Sequence, residues 1–374
     1  MRNDKKVTDF LKRGLEKGVY PGAVLLAARG EDIAFFHSVG SRALIPKPLP
    51  MEKETIFDLA SLTKPLATTL AIMKLVDEDL LGLDIPISSL IRPFPWKDKA
   101  NLTPRLLLSH SAGLVDWKPF YLELTKYPVE QRKSVVRRLI MEEPLYGEPQ
   151  TVSLYSDLGF MLLEWIAEII TGQDLSSFLE ATFYNPLGLK TFYLDNITAD
   201  AGSKKGLYAA TEYCPWRKEI MQGHVHDENA YALGGYSGHA GLFGAAPDIF
   251  ALTTVLIKIY QGYRSEPVRP ETVRTFLSRQ GVVPESTYAL GWDTPSENNS
   301  SSGNYFSPNS VGHTGFTGTS VWIDLQRNIT VLFLTNRIHP NRSNEKIRDF
   351  RPKLHDLIMR ESPLCSEIQA RERR

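Results

Sequence analysis

The segment Ile56-Phe57-Asp58-Leu59-Ala60-Ser61-Leu62-Thr63-Lys64-Pro65-Leu66 changes character halfway. Ile56 and Phe57 are strand-like, and from Ser61 onward the pattern is helical, so Ser61 and Lys64, three apart, share one helix face. A serine hydroxyl is a poor nucleophile until a base takes its proton. An amine one turn away can be that base or can tune a second one. Pro65 fits because a first helical turn has no intrahelical partner for its missing N–H to lose. Ser61 then sits at a helix N-terminus, where partial positive charge favours a developing oxyanion. Serine and lysine at this spacing recur by chance in almost any chain of this size, so the motif needs support from elsewhere.

On the N-terminal side, residues 7 to 18 read as a helix. Ala23 to Ala28 and Ile33 to His37 are apolar runs joined by Arg29, Gly30, Glu31 and Asp32, a hairpin signal. Near the other end, Ser320 to Asp324 and Ile329 to Thr335 form a second hairpin around Leu325, Gln326, Arg327 and Asn328, followed by a helical pattern from Asn344 to Arg360. The two ends therefore mirror each other. They predict one antiparallel sheet assembled from both termini and covered by the terminal helices, an α/β (α+β) fold. Residues 66 to 285 are dominated by helical patterns such as Leu66 to Asp79 and Leu158 to Thr171. The expected division is an α/β lobe of residues 1–65 and 286–374 and a mostly helical lobe of 66–285, with the active site between them. Ser296 to Ser310 has turn composition and is expected as an exposed loop. No internal repeat is found.

Composition narrows the partners. Lys plus Arg equals Asp plus Glu at 43 each, so no global field draws the chain to nucleic acid or anionic lipid. A small-molecule substrate is expected, with no nucleic acid, no membrane and no obligate protein partner. The first residues, Met1 to Lys6, are polar and charged, with no apolar core of the kind a signal peptide needs. Phe160 to Ile170 is too short for a membrane span and carries Glu164 and Glu168. Two cysteines, Cys214 and Cys365, are too few for a disulfide framework and suit a reducing compartment, so a cytoplasmic location is expected.

Two further motifs support the first. Tyr155, Ser156 and Asp157 precede the helix starting near Leu158, and Gly312-His313-Thr314-Gly315-Phe316-Thr317-Gly318 precedes the C-terminal hairpin. In order and context the set resembles the three motifs of the serine β-lactamase and penicillin-binding-protein superfamily: Ser-x-x-Lys at a helix start, Tyr-x-Asn on a loop, and Lys-Thr-Gly on a strand edge. Leu107 to Leu114 and Asn185 to Leu189 resemble its class C-like branch. The resemblance implies a β-lactamase/transpeptidase-like fold and an acyl-enzyme on Ser61. Lys64 would be its hydrogen-bonded activator and Tyr155 the general base. The oxyanion hole would be the N–H groups of Ser61 and Phe316, and Asp157, His313, Thr314 and Gly315 would border the substrate. No metal or organic cofactor is implied.

Asp157 and His313 depart from the family pattern, standing where many members have Asn and Lys. A mostly neutral histidine does not anchor a substrate carboxylate as lysine does. Arg337, Asn341 and Arg342 are candidate replacements, against a reading as solvated loop charge. His224, His226, Asp227 and His239 look like metal ligands at first sight but lack the helix-borne spacing of hydrolytic zinc sites. The segment Gly223 to Gly244 that carries them resembles instead a loop of a branch that includes muramyl-peptide amidases. Peptidoglycan-derived amides or small esters are therefore the expected substrates, ahead of β-lactams or D-Ala termini. A catalytically silent binding protein of the same fold is the alternative of a different class, although a silent pocket has no need of Ser61, Lys64 and Tyr155 together.

Overall fold

The computed structural model describes residues 2–91, 96–197 and 207–361. Its strands are β1 (Gly22–Arg29), β2 (Asp32–Ala43), β3 (Leu49–Pro50), β4 (Phe57–Asp58), β5 (Tyr193–Leu194), β6 (Tyr213–Cys214), β7 (Glu219–Ile220), β8 (Leu242–Gly244), β9 (Ser310–Thr314), β10 (Ser320–Asp324) and β11 (Ile329–Thr335). Six of them form one sheet in the order β3-β2-β1-β11-β10-β9. The two expected hairpins meet along β1 and β11, which pair antiparallel from Ala23 opposite Thr335 to Arg29 opposite Ile329.

Side-chain alternation explains why these strands are apolar on both faces. Val24, Leu26, Leu332 and Leu334 point into the main core, while Ala23, Leu25, Val331 and Phe333 point to the other side. There they meet Val7 and Leu11 of the N-terminal helix (Arg2–Glu16) and Phe350, Leu354 and Ile358 of the C-terminal helix (Ile347–Glu361). Burying each large apolar side chain contributes roughly 1.5–3 kcal/mol, so the layer ties the two chain ends together.

The boundaries differ from the sequence reading for identifiable reasons. The first helix begins before residue 7, where Asp4 bonds His37 at 2.7 Å and Lys5 pairs with Asp9 one turn on. The last helix begins after Asn344, whose amide is already spent on the carbonyls of Gly18 and Val19. Residues 296–310 are not simply exposed. Phe306 packs between Trp322 and His355, and Ser307 donates its N–H and hydroxyl to the buried Asp324 carboxylate. Serine composition reads as solvent, whereas a buried acceptor recruits it.

The middle of the chain is helical but also holds a small sheet, β4-β8-β5, and the β6-β7 ribbon. That small sheet sets the depth of the site, because β4 runs directly into Ser61 and β8 follows directly on Gly241. Among the described residues no helix is long and apolar enough to cross a membrane. Cys214 is a buried free thiol, and Cys365 lies outside the described residues.

Candidate active site

Ser61 sits in a tight 3₁₀ turn, Ala60–Leu62, that the chain enters through a strained residue: Ala60 has φ +48°. The buried Asp58 carboxyl holds it there by accepting Ala60 N–H at 2.8 Å, and its other oxygen accepts His226 N–H at 2.6 Å. Burial pushes Asp58 up to about 6 against those two bonds. After the turn the backbone widens into a π-helical run, Lys64–Thr68, before the α-helix Thr69–Asp77. Such widened turns are frequent at functional sites.

Lys64 is fully buried; its ammonium donates to Ser61 Oγ at 3.1 Å and the His239 carbonyl at 3.2 Å and lies 2.7 Å from Asp157 Oδ1. The Asp157 contact is an ion pair by distance, set off the angle of a good hydrogen bond. Burial opposes the charge, but Asp157 and then Tyr155 outweigh it and hold Lys64 above the ordinary lysine value. The Tyr155 ring lies 4.7 Å from the ammonium. Its hydroxyl is buried beside Lys64 and Ser61, with no contact among the described residues in full hydrogen-bond geometry. Burial raises the phenol, Lys64 opposes this, and Asp157 adds to the rise.

His110 positions Tyr155. Its ring packs tilted against the phenol at 4.5 Å, its Nδ1 accepts Ser156 N–H at 3.0 Å and its carbonyl accepts Leu154 N–H. Burial and then Lys64 push His110 far down, so it is a neutral acceptor at that nitrogen. Ser156, rather than Asp157, caps the helix Asp157–Thr171, leaving Asp157 free to turn toward Lys64.

His313, on the edge strand β9, faces the Tyr155 ring at 5.8 Å. Its Nδ1 lies 2.9 Å from the Thr314 carbonyl, which can only accept, so that nitrogen carries the proton. Burial and Lys64 bring His313 down to about 3. Nε2 is thus a bare acceptor facing the Tyr155 ring in this tautomer.

The turn after β9 is stitched to the backbone just before Ser61. Thr317 and Thr319 hydroxyls donate to the carbonyls of Asp58 and Leu59, and a Cβ on Gly315 would lie 2.5 Å from Leu59 O. Phe316 N–H has no acceptor among the described residues, while Phe316 O is gripped by Arg337 Nε and Nη2 at 3.0 and 2.7 Å. This brings the turn bearing Phe316 against the turn bearing Ser61.

The loop cations are not free to bind an anion. Arg337 spends its fork on the carbonyls of Phe316, Arg342 and Asn344, and Arg342 is paired with Glu212 and Glu228. Asn341 accepts Ser343 N–H. The loop histidines also disperse: His224 lies 3.6 Å from Asp195, His226 is at 3.1 Å from Glu212, and His239 is at 3.0 Å from Asp227. What converges instead is Asp157, Asp227 and His239, each offering a ligand atom within 4.8 Å of the others, with the Lys64 ammonium already on Asp157. Tertiary packing alone brings that trio together. His110, Arg337, Thr317 and Thr319 also escaped the sequence reading as positioning residues, and only the Leu-Ser-His-Ser context of His110 had marked it.

The family model described as Beta-lactamase matches residues 7–355. An N-acetylmuramyl-L-alanine amidase of Bacillus subtilis (strain 168) is 32% identical over 368 residues, covering 90% of this chain and 81% of that protein. A putative D-alanyl-D-alanine carboxypeptidase of Escherichia coli (strain K12) is 32% identical over 348 residues, covering 86% and 79%. Among solved structures, EstCE1, a hydrolase with promiscuous acyltransferase activity, superposes with a TM-score of 0.70 at 24% identity, covering 94% of this chain and 98% of that one. The octameric penicillin-binding protein homologue from Pyrococcus abyssi does so at 0.70 and 20%, covering 99% and 80%. These two show the same fold. With the three motifs brought together around Lys64 and Tyr155 and the family matched along nearly its whole length, the chain belongs to the beta-lactamase family of serine hydrolases.

Proposed function

We propose that the protein cleaves peptidoglycan-derived amides or small esters through an acyl-enzyme on Ser61. Ser61 Oγ attacks the carbonyl carbon, and its proton passes to the Lys64/Tyr155 pair. The pair returns a proton to the departing amine or alcohol, and water then releases the acid by the reverse path. The N–H groups of Ser61 and Phe316 receive the oxyanion. In the resting arrangement both Lys64 and Tyr155 hold their protons more tightly than usual. The reactive form is therefore the one lacking a single proton from the pair, which titrates as a unit. The observation that carries the reading is the Lys64 ammonium 3.1 Å from Ser61 Oγ, fixed by Asp157 and packed on Tyr155.

The substrate class rests on the amidase and carboxypeptidase relatives. Amides without a carboxylate next to the scissile bond are favoured over D-Ala termini, because His313 is neutral and Arg337 and Arg342 are occupied. The test is a fluorophosphonate, whose mass is expected on the peptide containing Ser61 and absent in Ser61→Ala, followed by chromatography of muramyl-L-alanine peptides and small esters. Labelling that persists in Ser61→Ala sinks the reading.

A further inference from the structure

Asp157 is an extra negative charge against the Lys64/Tyr155 pair, and it tightens the hold of both groups on their protons. Taken alone it would push the reactive form to high pH. The same spot holds a second, compensating pair. His239 is buried in the turn before β8, with Nε2 3.0 Å from Asp227 Oδ1, while its own carbonyl accepts from Lys64. Asp227 is fixed by capping the short helix Glu228–Ala232, where it accepts Ala230 N–H at 2.8 Å. Lys64, Asp157, His239 and Asp227 thus form a run of alternating sign, drawn from four separate segments of the chain.

We propose that His239, paired with Asp227, is a positioning residue whose charge offsets Asp157 behind Lys64 and sets the pH range in which Ser61 can be activated. The inference rests on the Ser61 acyl-enzyme reading. Burial works against a charged His239, but Asp227 and Asp157 overcome it, so the ring keeps its proton to higher pH than an ordinary imidazole. Lys64 opposes that charge. Interaction between two charges is reciprocal, so charged His239 loosens the Lys64 proton by the same interaction. The groups facing His239 are Asp227, Asp157 and Lys64, with Glu164 close by, bonded to Ser237 and Gly238 on the same turn. Glu164 is itself paired with Lys133 at 2.9 Å, so the carboxylates whose charge bears on His239 are Asp227, its direct partner, and Asp157.

The signs are definite. His239→Gln removes a positive charge, so the pair loses its proton later and the rise of kcat/KM with pH moves upward. Asp157→Asn removes a negative charge and moves it downward. In the double variant the two shifts oppose, and the profile returns toward wild type. A displacement of one pH unit is about tenfold in rate on the rising limb. We therefore expect His239→Gln to lose ~10-fold at neutral pH and the double variant to recover to within ~3-fold of wild type. Superimposed profiles, or a double variant worse than His239→Gln, overturn the proposal. Should His239→Gln fail to fold, imidazole NMR of the wild type and Asp157→Asn decides the matter: one ring must lose its proton at lower pH in the variant, and no change overturns the coupling. Activity lost to a chelator and restored by zinc also overturns it, in favour of a metal on Asp157, Asp227 and His239. Fluorophosphonate labelling of Ser61, run in parallel, separates failure of this inference from failure of the acyl-enzyme reading.

Discussion

The inner wall of the site, around Lys64, and its outer rim, around Arg342, are both built from alternating charges, and they differ in burial. On the inner wall Lys64 is fully buried and Asp157 nearly so, at 0% and 15% side-chain exposure. On the rim, Arg342 pairs with Glu212 and Glu228 but is 41% exposed, and with Arg337 and His226 it packs around the ring of Phe316. In a low-dielectric interior each charge strongly moves its neighbours' proton affinity, whereas water and salt screen an exposed pair. The inner wall can therefore tune chemistry. The rim mainly holds the turn bearing Phe316 in place.

The largest effect that sharpens this contrast is at Lys64. Lys64→Ala removes the proton partner of Ser61 and should lower kcat/KM on an amide by ~10²- to ~10⁴-fold. Arg342→Ala should cost less than ~10-fold in the same steady-state assay. Equal losses would erase the distinction between wall and rim.

Arg337 joins the two regions, since its fork holds the Phe316 carbonyl, the peptide next to the one that carries the Phe316 N–H. Losing an oxyanion donor outright costs ~10²- to 10³-fold, and Arg337→Met only loosens one, so a fall of ~10- to 100-fold in kcat is expected. KM should stay nearly constant. A change confined to KM would assign Arg337 to substrate binding instead.

Phe316 is 46% exposed and its ring has no proton to exchange. Phe316→Ala should raise KM by roughly 3-fold with kcat unchanged, the pattern of lost uniform binding. A larger loss in kcat would mean that the ring also holds the oxyanion turn.

The smallest effect concerns stability. Burial would raise Glu212, but hydrogen bonds from His226 and Arg342 bring it down to about 2. A depressed carboxyl contributes stability that is present above the ordinary carboxylate range and lost as pH falls through about 2. Glu212→Gln should therefore lower Tm slightly at neutral pH, and its thermal curve should converge with wild type in acid. A difference that persists undiminished in acid would show packing, not charge, at work.

The sequence by itself determined the two terminal hairpins, because short continuous apolar runs around polar turns are local signals. The bounds of β10 and β11 come out as read. It also determined the Ser61, Tyr155 and His313 motifs and hence the family. It could not determine the charge balance of the site. Asp157 stands at the start of a helix in sequence, but Ser156 takes the capping bond and Asp157 turns to Lys64. His239 lies 175 residues from Lys64 and still accepts its hydrogen bond, and Arg337 looks like a free loop cation until its fork is seen closed on backbone carbonyls. Proton affinity depends on burial and on the distances between charges. Those are fixed only when segments far apart in the chain pack together.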